Sequence, residues 1–221
     1  MRLFLLAALL AFLPSLSACR TQERVIVSDP AFDYSKTFPA SPPLPKQFSG
    51  ITYQTEIVSY GVDGKHVKVI QAIPDYALPA YGGLLLGGDR GEWGGELVFR
   101  KQNESIQPVL EKNVHGIFQM PFGIVVFTGL AHMGINEGSI YRVSSSSNGT
   151  ISVTVLHDLP GAPSDVFRTT ANDLVFRVIS GKFEKQGAFS VPVKDCYLLD
   201  KSGALKPLRC TSIIKQVKRS K

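Results

Sequence analysis

Three short, fully apolar strands recur along this chain, at Gly83-Leu84-Leu85-Leu86, Gly123-Ile124-Val125-Val126 and Asp173-Leu174-Val175-Phe176. They constrain the fold more than any other feature, because each is followed by the same series of segments. A polar loop runs to a glycine (Gly95, Gly138, Gly187), and a second strand follows at Glu96 to Arg100, Ser139 to Val143 and Ala188 to Val191. A third strand comes next, at Ile106 to Leu110, Ile151 to Leu156 and around Tyr197. Lead-in strands at Val114 to Phe118 and Asp165 to Arg168 precede the second and third units. The first two units begin 40 residues apart (83 to 123) and the next two 50 apart (123 to 173). From Ile51 onward helical periodicity is nearly absent, and β-branched and aromatic runs alternate with Gly, Asn, Asp, Ser and Pro. Ahead of the repeat, Thr52 to Tyr60 and Lys65 to Ile73 flank Gly61-Val62-Asp63-Gly64, which predicts a hairpin whose glycines supply positive φ.

Four short strands in each 40 to 50 residues resemble the blades of β-propellers of the WD or kelch length class. The resemblance covers Gly83 to about Leu208 and rests on pattern, without a Gly-His…Trp-Asp signature. It implies an all-β chain, an antiparallel meander of three to four propeller-like, four-stranded blades forming an incomplete propeller. The Thr52 to Ile73 hairpin would supply part of a fourth blade. An antiparallel β-sandwich is the alternative arrangement of the same strands.

The N-terminus carries one positive charge, Arg2, and an apolar run from Leu3 to Leu13, too short to cross a bilayer as a helix and laid out like a secretory leader. It ends in Leu16-Ser17-Ala18-Cys19, which resembles the lipobox of bacterial lipoproteins. The resemblance implies cleavage after Ala18, a diacylglyceryl thioether on Cys19 and an acylated amine. The expected organisation is a signal peptide over 1–18, a lipidated proline-rich tether over 19–46, an all-β domain over 47–214 and a basic tail over 215–221. The tether holds Pro30, Pro39, Pro42, Pro43 and Pro45 and reads as an extended, semi-rigid spacer. Arg24 to Ser28 reads as a short strand without an identifiable partner. Arg20 follows the cysteine where an aspartate would signal inner-membrane retention in enteric lipoproteins, which implies the outer membrane, facing the periplasm.

Cleavage leaves 203 residues (221 − 18), enough for one domain with a real core. Four cations, Lys215, Lys218, Arg219 and Lys221, fall in the last seven residues, so the remaining body is nearly neutral. No aromatic-interleaved basic motif points to nucleic acid. With Cys19 assigned to lipid, Cys196 and Cys210 are left as an even pair in an exported chain and read as a disulfide. Its 15-residue loop contributes roughly 3 kcal/mol by chain entropy. Lys201-Ser202-Gly203 reads as the turn between two strands that carry the sulfurs, Cys196 to Asp200 and Ala204 to Cys210.

No Gly-x-Ser-x-Gly, His-Glu-x-x-His, phosphate-binding glycine loop or Cys-x-x-Cys is present, and His66, His115, His132 and His157 stand singly. The sequence therefore carries no catalytic constellation and implies no cofactor and no metal. If the units are blades, the loops between their first and second strands (Gly88 to Gly94, Gly129 to Glu137, Ser180 to Gln186) emerge on one rim. They would present Arg90, Glu92, Trp93, His132, Met133, Asn136, Glu137, Lys182, Phe183 and Glu184, a mixture suited to a protein interface. The opposing reading tucks Met133 and Phe183 inward and folds Trp93 over the sheet edge. The expected function is a membrane-anchored, non-catalytic binding module whose partner is another protein, either an envelope component or a secreted toxin that it neutralises as an immunity protein. A glycan or small ligand at the mouth of the array, near Trp93, Phe183 and His132, is the alternative. A hydrolase would need Ser and Asp gathered around His132 or His157.

Overall fold

A computed structural model describes residues 37–39, 50–169, 171–186 and 188–210. The expected signal peptide over 1–18, Cys19, Arg24 to Ser28, most of the proline-rich tether and the basic tail lie outside the described residues. Among the described residues the structure is all-β, with fifteen strands and a single 3₁₀ turn at Gly91–Trp93. A hairpin of β2 (Tyr53–Gly61) and β3 (Gly64–Ala72) comes first. A meander follows, of β4 (Tyr76–Ala80), β5 (Gly83–Asp89), β6 (Gly95–Arg100) and β7 (Ile106–Leu110). The second meander holds β8 (Val114–Met120), β9 (Gly123–His132), β10 (Ile135–Ser145) and β11 (Ile151–Leu159). The third holds β12 (Pro163–Thr169), β13 (Leu174–Gln186), β14 (Phe189–Leu199) and β15 (Leu205–Leu208), with β1 (Thr37–Pro39) added on the edge of β12. All pairings are antiparallel, and none of the four sheets closes on itself.

The apolar repeat follows from how these sheets pack. Side chains alternate between faces along a strand, so a strand apolar at every position must be covered on both sides. In β5, Leu86 packs with Tyr53 and Ala72 of the hairpin, while Leu85 packs with Ile117, Ile124 and Val126 of the second meander. In β9, Ile124 and Val126 face the first meander, whereas Val125 and Phe127 face Leu174, Phe176 and Val178 of the third. Each main core cluster thus lies between sheets consecutive in the chain. Gly95, which opens β6, and Gly138, within β10, have a steric reason as well. A methyl at Gly95 would overlap Asn113 and the Gly88 carbonyl, and one at Gly138 would overlap the Gly161 carbonyl. In both units the segment leading to the next sheet crosses directly over the glycine.

Three expectations need correction. Gly129 to Glu137 and Ser180 to Gln186 are mostly strand: β9 and β10 turn tightly at Met133-Gly134 (φ 44° and 94°), and β13 runs on through Gln186. The two strands expected at Ala188 to Val191 and around Tyr197 are one, β14. Pro192 does not break it, because β15 pairs only with Cys196 to Leu199, so Pro192 sits where β14 has a single partner. The sequence reading also missed β4, whose Pro79 is tolerated because β4 is an edge strand, and the three-residue β1.

Cys196 and Cys210 lie at disulfide distance, with Cα atoms 5.3 Å apart, and fasten the end of β15 to β14 over the cluster of Val175, Leu198 and Leu208. Reduction, or the Cys196→Ala/Cys210→Ala variant, is expected to lower stability by about 3 kcal/mol. Urea unfolding with and without reductant measures this, as a lower midpoint once the slope of each transition is fitted separately.

Candidate functional site

The connections β5–β6, β9–β10 and β13–β14 occupy the same place in their meanders and gather at one end of the sheets. The first is held from below. Asn113, buried between β7 and β8, accepts the Arg90 amide at 3.1 Å through its Oδ1 and donates through Nδ2 to the Gly91 carbonyl at 2.7 Å. The first and second connections meet where His132 Nε2 lies 2.6 Å from Glu92 Oε2. Lys112 bridges to Glu137 at 3.0 Å beside them. Asn136 joins the second sheet to the third, donating to the Ile179 carbonyl at 2.8 Å and accepting the Ala162 amide at 3.0 Å. At the opposite end, Tyr81 donates to the Val143 carbonyl and Arg168 to that of Gln119, so successive sheets are tied at both ends.

Trp93 is 58% exposed and Met133, next to His132 at the turn, is 91% exposed. Each follows directly in the chain on one partner of the Glu92–His132 contact, and Ile135 is also exposed beyond the turn. Phe183 (68%) and Phe189 (76%) stand on the β13–β14 hairpin among exposed Lys182, Glu184 and Lys185. Met133 and Phe183 are thus turned outward. Neither Ile135 nor Phe189 was among the candidate interface residues of the sequence reading, although both lie within segments that it named.

Arg90 differs from its neighbours. Its guanidinium turns inward to both carboxylate oxygens of Glu96, Nη1 donating to Oε1 at 2.7 Å and Nη2 pairing with Oε2. Tyr53 also donates to Glu96, and Thr55 does so at 2.9 Å, so one buried carboxylate fastens the β2–β3 hairpin to the first meander. Burial alone would raise the Glu96 carboxyl, but hydrogen bonds from Arg90, Tyr53 and Thr55 bring it below its ordinary value. Burial, with the Glu96 charge beside it, holds the Tyr53 phenol well above its usual range. Arg90 therefore supports the surface from behind.

Between the three sheets at this end lies a cleft of about 400 Å³, lined among others by Tyr76, Asp89, His115, Ser164, Asp165 and Ile179. His115 Nδ1 is 3.3 Å from Asp89, and its Nε2 is 2.9 Å from the Gly129 carbonyl. Asp165 reaches the cleft from a bulge in β12 at φ 51° and pairs with Arg177 at 2.7 Å and Lys194 at 3.2 Å. Burial opposes its ionisation, but the charges of Arg177 and Lys194 outweigh burial and lower its pKa. His157 meets the Gly203 carbonyl at 2.7 Å and His66 meets Asp63 on the first hairpin. Among the described residues, no group of three or more His, Cys, Asp or Glu is disposed to hold a metal ion.

Comparison with protein-family models, curated proteins and solved structures finds no match for this chain.

Proposed function

We propose that this chain is a lipid-anchored protein of the bacterial envelope, held at the outer membrane through Cys19, that docks another protein without catalysing a reaction. The docking face is the corner where the first and second meanders meet, built from Glu92, Trp93, His132, Met133, Asn136 and Glu137. The observation that carries this reading is the outward exposure of Trp93 and Met133 on a corner whose backbone is pinned by Asn113, Asn136 and the Glu92–His132 contact. An apolar anchor on a pre-ordered frame loses little entropy on binding, and truncating such an anchor is costly. In this reading the three meanders are propeller-type blades, the hairpin stands in for part of a fourth, and the tether joins the body to its anchor. The partner is an envelope component or an incoming secreted toxin, the latter making this chain an immunity protein.

The test is affinity capture of the lipidated protein from its own envelope, comparing wild type with Trp93→Ala and Met133→Ala. Each substitution is expected to weaken capture of one specific protein by tenfold or more, corresponding to the loss of at least about 1.4 kcal/mol. Unchanged capture, or none at low salt, would overturn the reading. A second reading, a glycan or small-ligand binder, is favoured by the cleft beside the corner, where Tyr76, His115, Asp89 and Asp165 converge. Its mark would be a ligand whose affinity falls on Tyr76→Ala and not on Trp93→Ala.

A further inference from the structure

We propose that the outer arm of the β13–β14 hairpin is a membrane-contacting element that places Phe183 and Phe189 in the interface of an anionic bilayer. Beyond the bulge between Ile179 and Phe183, residues 181–185 and 188–190 are exposed, and 183–186 pair only with 189–192. A two-stranded ribbon without a covering layer is marginal in water. Its two aromatic residues are on opposite faces. Phe183 opposes Pro192 and shares a face with Lys185 and Ser190, whereas Phe189 opposes Gln186 and shares the other face with Glu184 and Val191.

A flat protein surface covers one face of a ribbon and leaves the other wet. A bilayer interface surrounds an inserted tip and covers both faces with the same medium. Charge favours the same occupant. Lys182 and Lys185 flank the phenylalanines against a single carboxylate, Glu184, and their long stems let the ammonium groups reach lipid phosphates while the rings stay lower. Apolar tips ringed by cations fit an interfacial contact with anionic lipid. Phe183 and Lys182 then contact lipid, and the Trp93–Met133 corner, at the same end of the sheets, faces a partner lying at the membrane.

The contact does not depend on lipid at Cys19, so its test uses the full mature chain carrying Cys19→Ser. Sedimentation with phosphatidylethanolamine/phosphatidylglycerol vesicles is compared with phosphatidylcholine vesicles. Binding is expected to the anionic vesicles, to fall with salt, and to drop about tenfold to a hundredfold for each of Phe183→Ser and Phe189→Ser. Both changes are at exposed positions, and an unchanged thermal melt verifies folding. A tryptophan reporter, Phe183→Trp with Trp93→Phe, is expected to be quenched by brominated lipid. No vesicle binding, binding undiminished in the double serine variant, or a reporter shielded only by a captured protein would overturn the proposal. A missing lipid on Cys19 in the native protein would show as an unmodified mass and leaves this result unaffected.

Discussion

Arg90→Ala is expected to destabilise the protein by about 3 kcal/mol, with the loss concentrated in the β2–β3 hairpin. The substitution removes both guanidinium bonds to Glu96, a carboxylate only 7% exposed, and leaves it buried with two neutral donors, Tyr53 and Thr55. Breaking a buried ion pair by deleting one partner costs about 3–5 kcal/mol, and the residual exposure of Arg90 puts this case at the lower end. Because the hairpin meets the body through Tyr53, Ala72 and the Glu96 bonds, its amides should lose hydrogen-exchange protection before those of the third meander. The pH dependence should also change sign. In the wild type the folded carboxyl titrates below its unfolded value, so the pair's stabilisation is complete above the unfolded pKa. It is lost as pH falls through the lower folded value. Without Arg90, burial dominates and the folded pKa rises, so the variant should be worst near neutrality and recover as pH falls toward 4. Denaturant unfolding from pH 4 to 8 on both proteins measures the crossing. A double Arg90→Met/Glu96→Leu variant should regain most of the loss, since no buried charge is left unpaired.

The second large effect is expected at Phe127. Its ring is fully buried between the second and third sheets, 5.3 Å from Phe118 and 4.8 Å from Phe176, edge-on to both, and Phe176 in turn stacks on Tyr197 at 5.8 Å. Phe127→Ala removes the centre of this column and opens a cavity that sheets tied at both ends cannot close. The expected cost is about 3–5 kcal/mol. Phe127→Leu should cost markedly less, because it refills much of the volume. A guanidinium midpoint for Phe127→Ala close to that of the wild type would mean that the two sheets do not share this core.

The strands facing two neighbours were legible because covering both faces forces every residue to be apolar, and Leu84 to Leu86 and Ile124 to Phe127 announce themselves. Edge strands are not under that demand, so β4, which contains Pro79, reads as a loop. The length of β14 was hidden for a related reason, since Pro192 breaks a central strand but not the free side of a ribbon. At the candidate site, the periodic repeat was enough to place three connections at one end. Trp93 and Met133 could be named because turn residues stand outside the alternation of the strands, whereas Ile135 and Phe189, inside β10 and β14, were not. Arg90 was the exception. Nothing local marks it as inward, because its partners Glu96, Tyr53 and Thr55 come together only when the first hairpin packs on the first meander. Asn113 was equally invisible, being a polar residue whose two hydrogen bonds are both long-range.

The proposed docking corner is tested most directly by a photoreactive residue at Met133 in the full-length protein within the cells that make it, with the same residue at Asn148, at the opposite end of the sheets, as the control. Irradiation should join position 133 to one protein of defined mass and leave position 148 unjoined. Equal yields from the two positions, or no adduct at 133 while the protein is folded and anchored, would contradict the assignment of that corner to a partner.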